Sequence, residues 1–109
     1  MRKIAVCQLR GRVSPRFNHS AELLMVTLNH SRVIEERRVI STATLNPSEL
    51  TALLALHQVE ILICGGVRKD CQQMLRKSSI RLIDNVIGNV DDVLLSCIEG
   101  RLHPGDVIN

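Results

Sequence analysis

Three of the four cysteines and one of the four histidines in this chain are candidate ligands for a soft metal. Cys7 and Cys64 each end a short apolar run, Cys71 follows after six further residues, and His19 lies on a polar loop. If the two runs are parallel neighbouring strands, both thiols reach the carboxyl edge of a sheet, where open α/β folds bind ligands. Thiolate and imidazole suit iron–sulfur, copper or zinc centres. The predicted metal ligands are His19, Cys7, Cys64 and Cys71, with burial in the core as the alternative for each cysteine.

Two of the four cysteines lie on predicted helices, and their surroundings differ. Cys71 falls in a first helical turn, where the helix dipole lowers the pKa of a thiol and favours the thiolate. Cys97 shares one apolar helical face with Val93, Leu94 and Ile98, which is the pattern of a core residue. We therefore exclude Cys97 from the predicted site.

A polar loop over residues 11–20 and a glycine pair supply the remaining candidate binding groups. Pro15 restrains the loop and lowers the entropy cost of presenting its side chains, while Phe17 anchors it on the core. Positively charged side chains balance the negative charge of a sulfide-rich cluster, and paired glycines let backbone amides approach a ligand. The predicted ligand-binding residues are Ser14, Arg16, Phe17, His19, Gly65, Gly66 and Arg68.

Composition restricts the class of protein. The 109 residues suit one domain, 1–109, which can bury a core without disulfides, and we expect a loose tail from about residue 103. Apolar residues make up 45% of the chain, yet no apolar stretch approaches the ~20 residues that span a bilayer. The scattered net charge of +3, with one Phe and no Tyr or Trp, argues against nucleic-acid binding. We expect a cytoplasmic protein with reduced thiols and no membrane role.

The first half of the chain predicts three strands and a helix. Apolar runs at residues 3–8 and 23–28 and a more exposed run at 32–40 form an antiparallel meander. Asn46 then precedes a Pro at the first helical position and a Glu at the third, which predicts a helix from about 47 to 57.

The second half predicts two strand–helix units. Strands at 59–64 and 80–83 alternate with helices at about 69–76 and 89–100, so the order is βββαβαβα. Parallel crossovers are right-handed, and this order therefore makes a mixed five-stranded sheet flanked by helices. The predicted class is α/β, with the arrangement of ribonuclease H-like folds.

Four segments carry a resemblance to a known family. They are Lys-Ile-Ala-Val at 3–6, Gly-Arg-Val-Ser-Pro-Arg-Phe at 11–17, Cys-Gly-Gly at 64–66, and the stretch from Asn-Val-Asp-Asp-Val-Leu-Leu at 89–95 through Glu-Gly-Arg-Leu at 99–102. Together they resemble the dinitrogenase iron-molybdenum cofactor biosynthesis family over nearly the whole chain. The resemblance implies a ribonuclease H-like fold and a nitrogenase accessory role in nitrogen fixation, as a carrier of iron-molybdenum or iron–sulfur cluster precursors.

Two segments depart from the pattern of that family. The loop that often reads His-Phe-Gly-His-Ala corresponds to residues 16–20, so Arg16 replaces the first His, Asn18 replaces the Gly, and His19 matches the second His. The glycine-rich turn Gly-Gly-Ile-Gly-Pro-Gly-Ala corresponds to Gly-Gly-Val-Arg-Lys-Asp-Cys at 65–71. The resemblance thus supports His19 as a ligand and leaves a basic side chain at position 16.

These observations favour binding over catalysis. Nucleases of ribonuclease H-like fold hold divalent metals with carboxylates that begin on the first strand, and residues 3–8 contain none. The chain also lacks a P-loop, a dinucleotide fingerprint and a nucleophilic serine motif. We predict a small carrier, not an enzyme, for an iron-molybdenum or iron–sulfur cluster or its precursor, with cofactor-assembly or acceptor proteins as partners. One alternative is a metal-free protein–protein interaction module of the same fold. Another is a thiol redox sensor that uses Cys64 and Cys71.

Overall fold

The computed structural model describes residues 2–109, apart from the side chain of His19, and is built around one mixed sheet. The strands are β1 (Arg2–Leu9), β2 (Arg12–Val13), β3 (Glu22–Leu28), β4 (Ile34–Ser41), β5 (Ile61–Ile63), β6 (Arg81–Ile83), β7 (Ile87–Gly88) and β8 (Val107–Ile108). The helices are α1 (Pro47–Leu56), α2 (Lys69–Lys77) and α3 (Val90–Ile98), with a single 3₁₀ turn at Phe17–His19. The α/β class is confirmed.

The sheet has the order β4-β3-β1-β5-β6, and β2 pairs with β1. β3 runs antiparallel to both β1 and β4, whereas β5 is parallel to β1 and β6 is parallel to β5. The predicted meander and the two parallel crossovers are therefore confirmed. β1 lies in the centre, and four of its residues in succession are buried, as expected for a strand covered on both faces.

The sheet has six strands, one more than predicted. The extra strand is β2, which folds back on β1 through a two-residue turn at Arg10 and Gly11. Both turn residues have positive φ, 52° and 77° respectively. A turn of this kind suits the twist of a hairpin, but an arginine is an unusual residue for it, so the sequence did not reveal the hairpin.

Two apolar layers cover the two faces of the sheet. Alternation along β1 directs Ile4 and Val6 towards α3, and Ala5 and Cys7 towards α1 and α2. Phe17 belongs to the layer that contains Cys7. The loop after β2 is therefore anchored in the core on the α1–α2 side of the sheet.

The helices begin at the residues that the caps predict. The Asn46 side chain accepts from the Glu49 amide at 2.7 Å, and the Glu49 carboxylate accepts from the Asn46 amide at 3.0 Å. The Asn89 side chain accepts from the Asp91 amide at 2.9 Å and caps α3. No helix in the described chain is both long and apolar enough to cross a membrane.

The segment from about residue 103, which was expected to be loose, contains β8. β8 pairs in parallel with β7, so that Ile87 lies opposite Val107. The Gly105 amide donates to the Asp84 carbonyl at 2.9 Å, and the Ile87 amide donates to the Asp106 carbonyl at 3.0 Å. Both strands are only two residues long and show no pattern in the sequence. The backbone hydrogen bonds hold this segment against the loop after β6.

Candidate functional site

The polar loop after β2 is bonded through its backbone to the ends of β1 and β5. The Ser14 amide donates to the Cys7 carbonyl at 2.7 Å, and the Gly65 amide donates to the Ser14 carbonyl at 3.0 Å. The Gly66 amide donates to the Pro15 carbonyl at 2.6 Å, and the Phe17 amide donates to the Gly66 carbonyl at 2.9 Å. Residues 14–17 therefore lie alongside residues 65–66 at the carboxyl edge of the sheet.

The glycine pair allows this close approach. A Cβ atom on Gly65 would overlap the carbonyl oxygens of Ser14 and Pro15, whereas a Cβ atom on Gly66 would lie 3.6 Å from the Pro15 oxygen. We expected the amides of this pair to face a ligand. They donate instead to the loop carbonyls, so the pair joins two segments of the site.

Several predicted contact residues point into the protein. Ser14 is buried, and its hydroxyl donates to the Arg16 carbonyl at 3.2 Å. Phe17 is only 1% exposed. The Ser20 hydroxyl donates to the Phe17 carbonyl at 2.9 Å, and the Thr42 hydroxyl donates to the Ser20 carbonyl at 3.1 Å. In this conformation, Ser14 and Phe17 support the loop from below and leave its outer surface to other residues.

Arg16 and Arg68 lie on that outer surface. They line a shallow cavity of about 210 Å³ together with Asn18, Gly66 and Val67. Arg16 forms no ion pair with any residue that the structure describes. The structure thus brings two predicted binding residues from distant parts of the sequence to one cavity. Asn18 and Val67 also line the cavity but were not predicted as binding residues. The sequence indicated them only through their positions close to Arg16 and Arg68.

The cavity has a positive electrostatic character. Arg68 immediately precedes α2, where the unpaired amides of a helix N-terminus carry partial positive charge. Its Nε atom lies 3.5 Å from the Asp70 carboxylate, and both side chains are mostly exposed. An exposed ion pair of this kind is weak, so it leaves Arg68 available to an incoming anion.

A larger cavity of about 360 Å³ lies beside β6 and contains Arg76 and Arg81. Asp84 also lines it and offsets part of that positive charge. Among the predicted binding residues, none lines this second cavity. The Arg16–Arg68 cavity is therefore the one that corresponds to the predicted site.

Cys7 and Cys64 are neighbours, as predicted, and both are completely buried. The parallel register pairs Val6 of β1 with Ile63 of β5, and a cysteine follows each of these two residues. The pKa of Cys64 is raised well above its ordinary value. Hydrogen bonding with the Cys7 side chain is the largest cause, and burial is the second. Hydrogen bonding by Cys64 and then by Ser20 lowers the pKa of Cys7, against the opposing effect of burial.

Cys71 differs from the reactive thiolate that we expected. It does lie in the first turn of α2, but it is only 2% exposed. Burial, followed by the charge of Asp70, raises its pKa above the ordinary value. Desolvation and the neighbouring Asp70 carboxylate thus disfavour the thiolate at this position.

The predicted metal ligands do not form a complete site among the described side chains. No group of three or more His, Cys, Asp or Glu side chains in that part of the structure could hold a metal ion. The His19 side chain lies outside the described residues. The ligand role of these residues stays a prediction. The side chains of Cys7, Cys64 and Cys71 are buried in the core, which is the alternative that the sequence left open.

Several solved structures share the fold. The protein PH0822 is 20% identical, with a TM-score of 0.82 over 94% of this chain and 95% of that one. A candidate dinitrogenase from Methanocaldococcus jannaschii is 21% identical, with a TM-score of 0.75 over 92% and 90%. The apo form of the orange protein from Desulfovibrio gigas is 20% identical, with a TM-score of 0.74 over 94% and 91%. These similarities show the fold alone.

Sequence comparison goes further than the structural likeness. No protein of curated function matches the chain significantly. The family described as dinitrogenase iron-molybdenum cofactor matches residues 1–100, which is nearly the whole chain and includes every predicted site residue. The chain therefore belongs to the dinitrogenase iron-molybdenum cofactor family.

Proposed function

We propose that this chain is a cytoplasmic carrier, without catalytic activity, for an anionic iron-molybdenum or iron–sulfur cluster or its precursor. The observation that carries the proposal is the cavity where Arg16 and Arg68 meet beside the N-terminus of α2. Membership of the family supports the choice of cargo.

The electrostatics of the cavity suit such a cargo. Sulfide-rich clusters carry negative charge, and a guanidinium donates several hydrogen bonds in a fixed planar arrangement. None of the described residues that line the cavity is acidic. The Asp70 carboxylate lies 3.5 Å from Arg68 but outside this lining, so both arginines present charge and hydrogen-bond donors to the cavity.

The arrangement of the loop favours binding with little reorganisation. Backbone hydrogen bonds fix residues 14–17 against residues 65–66, and the Phe17 side chain is anchored in the core. Holding the loop in place before binding lowers the entropy cost of the contact. His19 is our candidate for a direct ligand on this loop, whereas ligation by Cys7 or Cys64 requires the loop to open.

We also assign the main sheet to the ribonuclease H-like arrangement. The order β4-β3-β1-β5-β6, with β3 antiparallel to its neighbours and the last three strands parallel, supports that assignment. Fold does not determine function, so the assignment adds no nuclease role.

Anaerobic reconstitution tests the carrier proposal. The purified chain is incubated with iron, sulfide and molybdate, desalted, and measured by visible absorption and elemental analysis. We expect wild type to retain metal and sulfide. Each of Arg16→Ala and Arg68→Ala should weaken retention about ten- to hundredfold, because a hydrogen bond to a charged group contributes about 1.5–3 kcal/mol. Arg76→Ala, an exposed arginine elsewhere on α2, is the matched control.

Two outcomes would contradict the proposal. Retention that is equal in wild type and in the Arg16→Ala/Arg68→Ala double variant would place the cargo elsewhere. A folded wild type that retains no metal would instead favour the metal-free interaction module, for which the same exposed arginines would contact a partner protein.

A further inference from the structure

Cys7 and Cys64 occupy adjacent positions on neighbouring parallel strands. Ile4, Ala5 and Val6 of β1 pair with Ile61, Leu62 and Ile63 of β5, and the cysteines follow directly. Both side chains belong to the apolar layer on the α1–α2 face. Neighbouring strands lie about 4.8 Å apart, within the range of about 4.4–6.8 Å over which Cα atoms accommodate a disulfide.

The pair occupies a particular place in the molecule. The Cys7 carbonyl accepts from the Ser14 amide, so the first residue of the ordered loop is bonded to the backbone of this cysteine. The carbonyl of Cys64 accepts from the Val86 amide at 3.1 Å, which fixes the other strand end. The thiols therefore lie beneath the loop that carries Arg16.

We propose that Cys7 and Cys64 are a redox-active dithiol that a hydroperoxide converts into a reversible intramolecular disulfide. This role does not depend on the carrier function, although Cys7 and Cys64 are also predicted metal ligands. It requires no metal and no cluster, and it uses thiols that do not line the Arg16–Arg68 cavity.

The reaction balances with a hydroperoxide as the oxidant. The Cys7 thiolate attacks one oxygen of hydrogen peroxide, the O–O bond breaks, and a sulfenic acid forms on Cys7. The hydroxide that leaves takes up the proton released by the Cys7 thiol and becomes the first water. The Cys64 sulfur then attacks the Cys7 sulfur and displaces hydroxide, which combines with the Cys64 proton to give water. Two thiols lose two electrons in total, hydrogen peroxide is reduced to two waters, and a thiol reductant reverses the change.

The geometry serves both steps. Opening of the loop that is bonded to the backbone of Cys7 exposes this thiol to the peroxide, which reacts with the thiolate. Cys64 follows the end of the neighbouring strand, within reach of the sulfenic acid. Cys71 lies on α2 and lacks a register partner on the sheet, so the geometry favours the Cys7–Cys64 bond over a Cys64–Cys71 bond.

Access to the pair is controlled by the loop above it. Both cysteines are 0% exposed, and Phe17 packs in the same apolar layer. Opening of residues 14–20 must precede oxidation, so oxidation of the native protein will be slow. Phe17→Ala removes the anchor of the loop and should speed the loss of thiols at least tenfold.

Tryptic mapping of the intact chain tests the proposal. Basic residues separate all four cysteines, so that Cys7, Cys64, Cys71 and Cys97 fall in the peptides 4–10, 39–68, 70–76 and 82–101. The protein, purified without metal, is treated with hydrogen peroxide, alkylated and digested without reductant. We expect peptides 4–10 and 39–68 to be linked, with a loss of about 2 Da for the two hydrogens. Dithiothreitol should release the link.

Variants and controls decide the interpretation. Cys7→Ala should abolish the link, while Cys97→Ala, a cysteine on the opposite side of the sheet, should leave it intact. The proposal is overturned if both thiols remain free after peroxide treatment in the folded wild type and also in Phe17→Ala. If Phe17→Ala fails to fold, wild type in mild urea takes its place. It is also overturned if peptide 39–68 is linked to 70–76 instead. Cluster retention plays no part in either readout, so the two proposals fail independently.

Discussion

At the scale of single residues, Gly65 and Gly66 have different roles although they are adjacent. A side chain on Gly65 would overlap two carbonyl oxygens of the loop, whereas Gly66 has room for a methyl group in ordinary contact. Because the loop is bonded to this segment, overlap at Gly65 would push the two apart. The difference provides a matched pair of substitutions.

We expect Gly65→Ala to lower the free energy of unfolding by about 1–3 kcal/mol, the usual cost of forcing extra volume into a packed site. Gly66→Ala should change it by less than about 1 kcal/mol. Urea denaturation followed by circular dichroism measures both values. Equal stability of the two variants would show that the loop does not pack on Gly65 as described.

The site was only partly predictable from single residues. The sequence identified Arg16 and Arg68, because loops and helix starts at a sheet edge are exposed, and both line the cavity. It could not show that the amides of Gly65 and Gly66 are occupied, since that depends on the register between two segments far apart in the sequence. The neutral state of Cys71 was also missed, because burial depends on tertiary packing.

At the scale of elements, β4 is an edge strand whose composition protects it. It pairs on one side with β3, and its central residues, 35–39, are exposed. Glu36 and Arg38 form a loose pair at 3.9 Å, and the register shifts between Thr27 and Leu28 on the partner strand. Charges and bulges of this kind discourage a second molecule from adding a strand.

Replacement of the paired charges should therefore promote self-association. Glu36→Val/Arg38→Val is expected to increase the apparent mass in a concentration-dependent way, as measured by light scattering with size-exclusion chromatography. The swapped variant Glu36→Arg/Arg38→Glu keeps both charges and should behave like wild type. An unchanged mass for the valine variant would mean that the remaining charges or the bulge suffice.

Most elements were predictable because each one has a local signal. The capped helices and the long apolar strands begin and end within a few residues of the predicted positions, as α1 after Asn46 illustrates. The strands that were missed, β2, β7 and β8, are each two residues long. Such short strands exist only through their partners, so no pattern in their own residues could reveal them.

At the scale of the whole molecule, the buried thiols link stability to pH. Burial and neighbouring groups raise the pKa values of Cys64 and Cys71 above the ordinary value of 9.0. In the unfolded chain these thiols ionise at that ordinary value, whereas in the folded protein they remain neutral to higher pH. Their contribution to stability is thus complete below pH 9.0 and is lost as the pH rises above it.

We expect the free energy of unfolding, measured with urea and a reductant, to fall between pH 8 and pH 10. The decrease should be roughly 1 kcal/mol for each thiol that stays protonated in the folded protein, and the lowered pKa of Cys7 acts in the opposite direction. Cys71→Ala should show a shallower decrease than wild type. A stability that rises with pH in this range would contradict the assigned protonation states.

The central position of β1 has a consequence for synthesis of the chain. Its antiparallel partner β3 ends at Leu28, so the meander can assemble soon after these residues leave the ribosome. Its parallel partner β5 begins only at Ile61. During the interval one side of the central strand has no partner, and the Cys7 thiol is without its neighbour. Mispairing of β1 and oxidation of Cys7 are therefore most favoured in the nascent chain before β5 emerges. Pairing of β5 with β1 then protects both the strand and the thiol.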